Sequence, residues 1–143
     1  MYLGEYQHNI DNKGRIIIPS RFRDELGEKF IITCGFEKCL VVYSMDEWNK
    51  YSAKISSLPS TRADARAFLR LIYSKAIESS CDKLGRIVLP QNLREYANID
   101  KEAVVNGNFN TIEIWNKQAW NEYSNSAFEN FEKQAEKLSD LLI

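Results

Sequence analysis

The phrase DNKGRIIIP at residues 11–19 returns as DKLGRIVLP at residues 82–90. No other feature restricts the fold as much as this one turn motif, written twice in a chain of 143 residues. Aligning Asp11 with Asp82 matches Gly14 to Gly85, Arg15 to Arg86, Ile16 to Ile87, Pro19 to Pro90 and Arg23 to Arg94. After one inserted residue, Gly35 meets Gly107, Leu40 meets Ile112, Val42 meets Ile114, Tyr43 meets Trp115, Trp48 meets Trp120 and Tyr51 meets Tyr123. The chain is a tandem repeat of a unit of about forty residues, a length that cannot bury its own apolar face. The two units are therefore expected to share one core.

Both copies have the same order of elements. A short strand leads in (GEYQHNI; KAIESSC), the D-x-x-G-R turn follows, and a short apolar strand comes next (RIIIP; RIVLP). Pro19 and Pro90 then open a short helix, where a missing N–H costs nothing. Two strands follow, joined by the Gly-containing turns GFEK and GNFN, and a helix closes each unit. Ser44 and Glu47 form a capping-box pattern for the first closing helix, and Asn116 is the expected cap of the second. That second helix carries the stripe Trp120, Ala127, Phe131, Ala135, Leu138 and Leu142. A linker helix after Pro59, capped by Ser60 or Thr61, presents Ala65, Phe68, Leu69 and Ile72 on one face. The expected division is a first repeat at 5–50, a linker helix at 51–75, a second repeat at 76–123 and a C-terminal helix at 124–143. The fold class is mainly β with flanking helices. Two interleaved repeats could close into one pseudo-symmetric barrel without exposed sheet edges.

The repeated turn has physical content. An Asp at the start accepts backbone N–H groups and shapes the loop. The Gly supplies a positive φ, and the Arg is then delivered by a rigid turn at the first strand position. Asp11, Gly14, Asp82 and Gly85 are the loop-shaping residues; Arg15 and Arg86, with Lys13 and Lys83 nearby, are the candidate binding residues. A guanidinium held in this way suits a phosphate or the O6/N7 edge of guanine. The competing reading is that Asp and Arg pair only to lock the turn. Repetition favours a partner that also repeats, and double-stranded DNA is one. Arg21, Arg23 and Arg94, in the short helices after the turns, are either secondary phosphate contacts or part of a solvated face.

The run GEYQHNIDNKGRIIIPSRFR, then GFEKCLVVYSMDEW, DKLGRIVLP and IEIWNKQAWNEY, resembles the MraZ family of bacterial regulators, whose two repeats are related to the AbrB DNA-binding unit. The resemblance covers residues 1–125. It implies a swapped-hairpin, double-psi-like β-barrel in each chain and assembly of chains into a ring. It also implies sequence-specific binding to short direct repeats upstream of the division and cell-wall gene cluster, which includes the regulator's own gene. The DNA-reading loops it implies are Asp11–Arg15 and Asp82–Arg86.

The remaining features narrow the alternatives. Net charge is −1, but residues 11–23 hold Lys13, Arg15, Arg21 and Arg23 against Asp11, while the C-terminal segment is acidic. Only the local field matters to a bound anion. Neither unit carries a long basic recognition helix, so loops or a β-ribbon are the expected reading elements. Arg62, Arg66 and Arg70 on the linker helix read as a solvated face or a subunit interface. Tyr43, Trp48, Trp115, Trp120 and Tyr123 read as core or interface packing.

Catalysis is not expected: His8 is the single histidine, no nucleophile signature surrounds it, and the glycines form no phosphate-binding loop. Cys34, Cys39 and Cys81 contain no C-x-x-C pair and read as buried free thiols rather than a metal site. No cofactor and no small-molecule substrate is expected. There is no export signal and no apolar span, so the expected location is the cytoplasm, in association with the nucleoid. The alternative function is a ring scaffold that engages protein partners through its acidic C-terminal helix.

Overall fold

The computed structural model describes residues 1–141. The first repeat contributes β1 (Glu5–Asn9), β2 (Arg15–Ile17), α1 (Ser20–Leu26), β3 (Phe30–Cys34), β4 (Leu40–Ser44) and α2 (Met45–Ile55). The linker helix α3 (Ala63–Lys75) follows. The second repeat contributes β5 (Ile77–Ser79), β6 (Arg86–Val88), α4 (Gln91–Tyr96), β7 (Glu102–Asn108), β8 (Thr111–Asn116) and α5 (Lys117–Glu129), with α6 (Phe131–Lys137) beyond it.

The strands form a six-stranded antiparallel sheet in the order β1-β7-β8-β4-β3-β5 and a separate ribbon of β2 with β6. Exchanging the repeats leaves that order unchanged, so the sheet has a pseudo-twofold axis between β4 and β8. Leu40 pairs with Ile114, Val41 with Glu113 and Val42 with Ile112 about this axis. The lead-in strands are exchanged: β1 of the first repeat pairs with β7 of the second, and β5 of the second pairs with β3 of the first. A short strand gains little stability unless it has a partner ladder and a covered face. Here each repeat supplies the other's edge strand.

Strand alternation sends one face of each ladder inward. Ile16, Ile18, Phe22, Leu26, Phe30, Ile32, Leu40 and Val42 from the first repeat meet Ile87, Leu89, Leu93, Ala103, Val105, Ile112 and Ile114 from the second in one core cluster. Burying each large aliphatic or aromatic side chain contributes about 1.5–3 kcal/mol, and neither repeat holds this core alone. The ladders also correct the repeat alignment. Phe30 pairs with Ser44 as Ala103 pairs with Asn116, so β7 is shifted one residue from the match of Gly35 with Gly107. Thr33 is equivalent to Asn106 and Cys34 to Gly107. The α4–β7 connection is longer than its counterpart, and the β7–β8 hairpin is shorter.

The equivalents Thr33 and Asn106 are the buried polar residues. Thr33 Oγ1 donates to the Ile72 carbonyl at 2.8 Å and ties α3 to β3. In the second repeat the N-terminal residues run along β7 instead: Tyr2 exchanges backbone bonds with Phe109, and Gly107 N–H donates to the Gly4 carbonyl.

The local readings hold in part. Glu47 N–H donates to Ser44 Oγ at 3.2 Å, and Ala119 N–H donates to Asn116 Oδ1 at 2.8 Å, so both caps form. The linker helix has Arg62 at its N-cap position, rather than Ser60 or Thr61, and no side-chain cap bond there. Asp64 accepts both the Ala65 N–H and the Arg62 guanidinium, which draws the start of the helix past those residues. The C-terminal helix is two helices, broken at Asn130, and neither holds a buried residue. Its stripe from Phe131 to Leu138 is exposed, and Leu142 lies outside the described residues. The divisions expected at 50/51 and 123/124 fall within α2 and α5. The repeated aromatics form two equivalent clusters, Tyr43 with Trp48 and Tyr51, and Trp115 with Trp120 and Tyr123. Cys39 is buried, while Cys34 and Cys81 are only half-buried.

Ile87→Ala should lower stability by about 2–5 kcal/mol, read from the midpoint of urea unfolding. Val88→Ala, on the outer face of the same strand, should stay within about 0.5 kcal/mol. Equal effects at the two positions would contradict a core shared through the ribbon.

Candidate nucleic-acid interface

The two D-x-x-G-R turns fold almost identically. In the first, Asp11 Oδ1 accepts the backbone N–H of Lys13 and of Arg15, both at 2.9 Å, and Asp11 Oδ2 accepts Arg15 Nε at 2.7 Å. In the second, Asp82 Oδ1 accepts the N–H of Leu84 and of Arg86 at 2.9 Å, and Asp82 Oδ2 accepts Arg86 Nε at 2.8 Å. Backbone bonds between Asp11 and Arg15, and between Asp82 and Arg86, close the loops. Each aspartate therefore shapes its loop and also aims its arginine.

The carboxylate takes the Nε side of each guanidinium. No hydrogen bond occupies the Nη1/Nη2 edge of Arg15 or Arg86 among the described residues. That edge is the planar fork that matches two acceptors. Arg86 Nη1 also lies 3.9 Å from Asp11 Oδ2, so the two loops are electrostatically joined across the repeats. Both arginine side chains are about one-quarter exposed, at 26%.

Gly14 and Gly85 sit at φ +75° and +79°, where a side chain is strained. They also lie against an arginine of the opposite repeat. A Cβ on Gly14 would come within 3.0–3.2 Å of the Arg94 guanidinium, and one on Gly85 within 2.2–2.9 Å of the Arg23 guanidinium. Arg94 Nε is held by the Leu89 carbonyl at 2.9 Å, whereas Arg23 Nε is buried without a hydrogen-bond partner among the described residues. The strands follow the same cross-over: Ile18 N–H donates to the Gly85 carbonyl and Leu89 N–H to the Gly14 carbonyl. Arg23 and Arg94 therefore lie beneath the turns rather than on an open helix face. Their recurrence eight residues after each turn arginine was the available signal, because Arg21 has only Asn92 as its counterpart. Arg21 is exposed and donates to the Tyr6 hydroxyl at 2.9 Å.

The loop tips differ. Lys13 is equivalent to Leu84 and Asn12 to Lys83, and all four are exposed. Lys13, Arg15, Arg23, Lys83, Arg86 and Arg94 thus gather six positive groups around Asp11 and Asp82, in a chain whose net charge is −1. Among the described residues, no group of three or more His, Cys, Asp or Glu side chains could hold a metal ion, and no helix is long and apolar enough to cross a membrane. Burial pushes the Cys39 and Cys81 thiols up, away from the reactive thiolate.

The backbone N–H of Arg15, then its side chain and the Lys13 N–H, hold the Asp11 carboxyl below its ordinary value of 3.8; Arg86 and Leu84 do the same for Asp82. Lowered folded values mean that the loops contribute full stability above the ordinary carboxylate range and lose it as pH falls through the folded values. Carboxyl-carbon NMR titration should give midpoints below 3.8 for both, moving upward in Arg15→Ala and Arg86→Ala. Gly85→Ala should cost more stability than Gly14→Ala, because Arg23 lies closer than Arg94. Adding Arg23→Ala should reduce the Gly85→Ala cost to the backbone contribution of about 1–2 kcal/mol, measured as a double-mutant cycle.

Comparison with known proteins agrees with the repeat architecture. The family profile described as "MraZ protein, putative antitoxin-like" matches twice, over residues 1–71 and 72–142. A protein of Desulforamulus reducens named transcriptional regulator MraZ is 54% identical over 142 residues, 99% of this chain and 100% of the relative. Proteins of that name from a Thermoanaerobacter species and from Moorella thermoacetica are 51% and 54% identical; each pairing covers 98–100% of both chains. A solution structure of PHS018 from Pyrococcus horikoshii covers 80% of this chain and 88% of its own at 16% identity, with a TM-score of 0.32, too loose to bear on the fold. These names are those of regulators, not enzymes. With both halves matched in tandem and relatives aligned end to end, this chain belongs to the MraZ family.

Proposed function

We propose that this protein is a transcriptional regulator that binds double-stranded DNA through its two D-x-x-G-R loops. The observation that carries this reading is the paired Asp–Arg geometry: each arginine is held on its Nε side by an aspartate, and its Nη1/Nη2 edge takes no hydrogen bond among the described residues, with only the 3.9 Å approach of Arg86 Nη1 to Asp11 Oδ2 nearby. A guanidinium positioned in this way has lost little further freedom when it meets the O6 and N7 acceptors of guanine in the major groove. The aspartates also cancel the charge of the arginines they hold. Non-specific attraction to phosphate then comes from Lys13, Lys83, Arg21 and the arginines beneath the loops, while Arg15 and Arg86 select the base. The curated relatives' shared name supports the regulatory part of this reading.

The finer points belong to the same proposal. The exchanged lead-in strands and the β2–β6 ribbon support a swapped-hairpin barrel as the frame of each subunit. The targets are short direct repeats upstream of the division and cell-wall gene cluster, including the protein's own gene, bound in the cytoplasm at the nucleoid. Subunits assemble into a ring, so that repeated DNA meets repeated loops and weak contacts add through effective concentration. Phe128 and Phe131, at 71% and 63% exposed on the C-terminal helices, form an apolar face of the kind that subunit or partner contacts cover. This same face favours the second reading, a scaffold that engages protein partners through the C-terminal helices.

A fluorescence-anisotropy titration separates the two. Duplex DNA from upstream of the gene, with its repeats intact, should bind at least tenfold tighter than a duplex with scrambled repeats. Arg15→Ala and Arg86→Ala should abolish that preference without changing oligomer mass. Affinity for the intact duplex should fall with salt by about 0.9 log units per log unit for each phosphate neutralised. Equal, salt-insensitive binding to both duplexes would remove the DNA reading and leave the scaffold.

A further inference from the structure

On the β2–β6 ribbon the buried and outward faces alternate residue by residue. Ile16 and Ile87 enter the core at 1% and 0% exposure, which leaves Arg15, Ile17, Arg86 and Val88 on the outward face. Ile17 is 41% exposed and Val88 is 53% exposed. Single exposed aliphatic residues are ordinary on protein surfaces. These two are distinguished by place: they are repeat equivalents, and each pairs directly across the ribbon with a loop arginine of the other repeat. Val88 is opposite Arg15, and Ile17 is opposite Arg86.

We propose that each loop arginine and its cross-strand aliphatic partner read one base step together, Arg taking a guanine and the aliphatic side chain taking the C5-methyl group of a neighbouring thymine. This rests on the DNA reading above and adds a second specificity-determining residue to each loop. Directly opposed residues on one face of a ribbon have Cβ atoms about 4.5–5.5 Å apart. Successive bases on a strand rise about 3.4 Å, so the two side chains are spaced for adjacent bases. The thymine methyl is the one apolar feature that a base edge offers in the major groove, and guanine O6/N7 is the usual arginine target there. The positive groups around the ribbon favour a polyanion against this face, and among the described residues Ile17 and Val88 stay open to solvent. Because the pairing crosses the repeats, Arg15 reads with Val88 and Arg86 reads with Ile17. Neither repeat alone contains a complete reading pair.

The test replaces every thymine of the intact-repeat duplex by deoxyuridine, which removes methyl groups and leaves each hydrogen-bonding edge unchanged. The full-length protein should bind the uracil duplex about fourfold more weakly for each methyl it covers. The Ile17→Ser/Val88→Ser variant should bind the thymine duplex with that same loss and should no longer distinguish thymine from uracil. Both positions are outside the core, and a urea melt checks that the variant is folded. Equal binding of the unmodified protein to both duplexes, with intact repeats still preferred over scrambled ones, would overturn the proposal and leave the DNA reading standing. An unchanged thymine-to-uracil ratio in the variant would also overturn it, by placing the methyl effect elsewhere. Loss of the preference for intact repeats would remove the DNA reading and this inference with it.

Discussion

The structure depends on a reciprocal clasp between the two repeats. Ile18 N–H reaches the Gly85 carbonyl, Leu89 N–H reaches the Gly14 carbonyl, and the guanidiniums of Arg23 and Arg94 lie against the glycine of the opposite turn. These contacts act where each unit is weakest. A three-residue strand such as β2 or β6 has almost no ladder of its own, and a turn with a left-handed glycine has more conformational entropy to lose than an ordinary one. Pairing β2 with β6 closes both ladders and drives Ile16 and Ile87 into the shared core. The exchange of β1 and β5 at the two ends of the sheet repeats the same logic on a larger scale. Folding of either repeat is therefore tied to folding of the other.

The candidate site inherits its rigidity from that clasp. Asp11 and Asp82 each accept three hydrogen bonds, two from the backbone of their own loop and one from the arginine at its end. A turn that only locks itself and a turn that presents an arginine are not opposed here, because the same carboxylate does both. Electrostatics follow the same economy. In the proposed DNA reading, neutralising Arg15 and Arg86 at their Nε side lowers their pull on any phosphate and makes them directed hydrogen-bond donors rather than general attractors. The surrounding lysines and buttressing arginines keep the local field positive in a chain that is slightly acidic overall.

Much of this is legible in the sequence. The repeated phrase identified two units, the turn residues and the arginines at their ends. The 3.6- and 2-residue periodicities placed most helices and strands, and Ser44 and Asn116 were visible as caps. Where the structure departs from the sequence pattern, the causes are local and physical. Gly35 and Gly107 align as letters, but the ladder pairs by backbone register, and a longer α4–β7 connection offset by a shorter hairpin slips β7 by one residue. Ser60 and Thr61 are good caps in isolation, yet α3 starts after Arg62, where Asp64 accepts the Ala65 N–H from inside the first turn. The stripe from Trp120 to Leu138 has helical spacing, but Trp120 alone packs on the Trp115 cluster, Asn130 breaks the helix, and the part from Phe131 to Leu138 stays exposed. Arg23 and Arg94 recur like Arg15 and Arg86, and nothing in a single strand of text says that they point under the neighbouring turn.

What depends on near neighbours is written in the sequence: the Asx-type turns, the glycines with positive φ, the apolar strands RIIIP and RIVLP, and membership of a two-repeat family. Each follows from residues within a few positions of one another, whose preferences survive in any context. The tertiary structure alone decided which repeat completes which. The cross-pairing of β1 with β7 and of β5 with β3, the seating of Arg23 on Gly85 and of Arg94 on Gly14, and the pairing of Val88 with Arg15 and of Ile17 with Arg86 join residues 45 to 101 positions apart. Two near-identical units offer nearly the same local surfaces to themselves and to each other. Local preference does not choose between those partners; burial of one common core does.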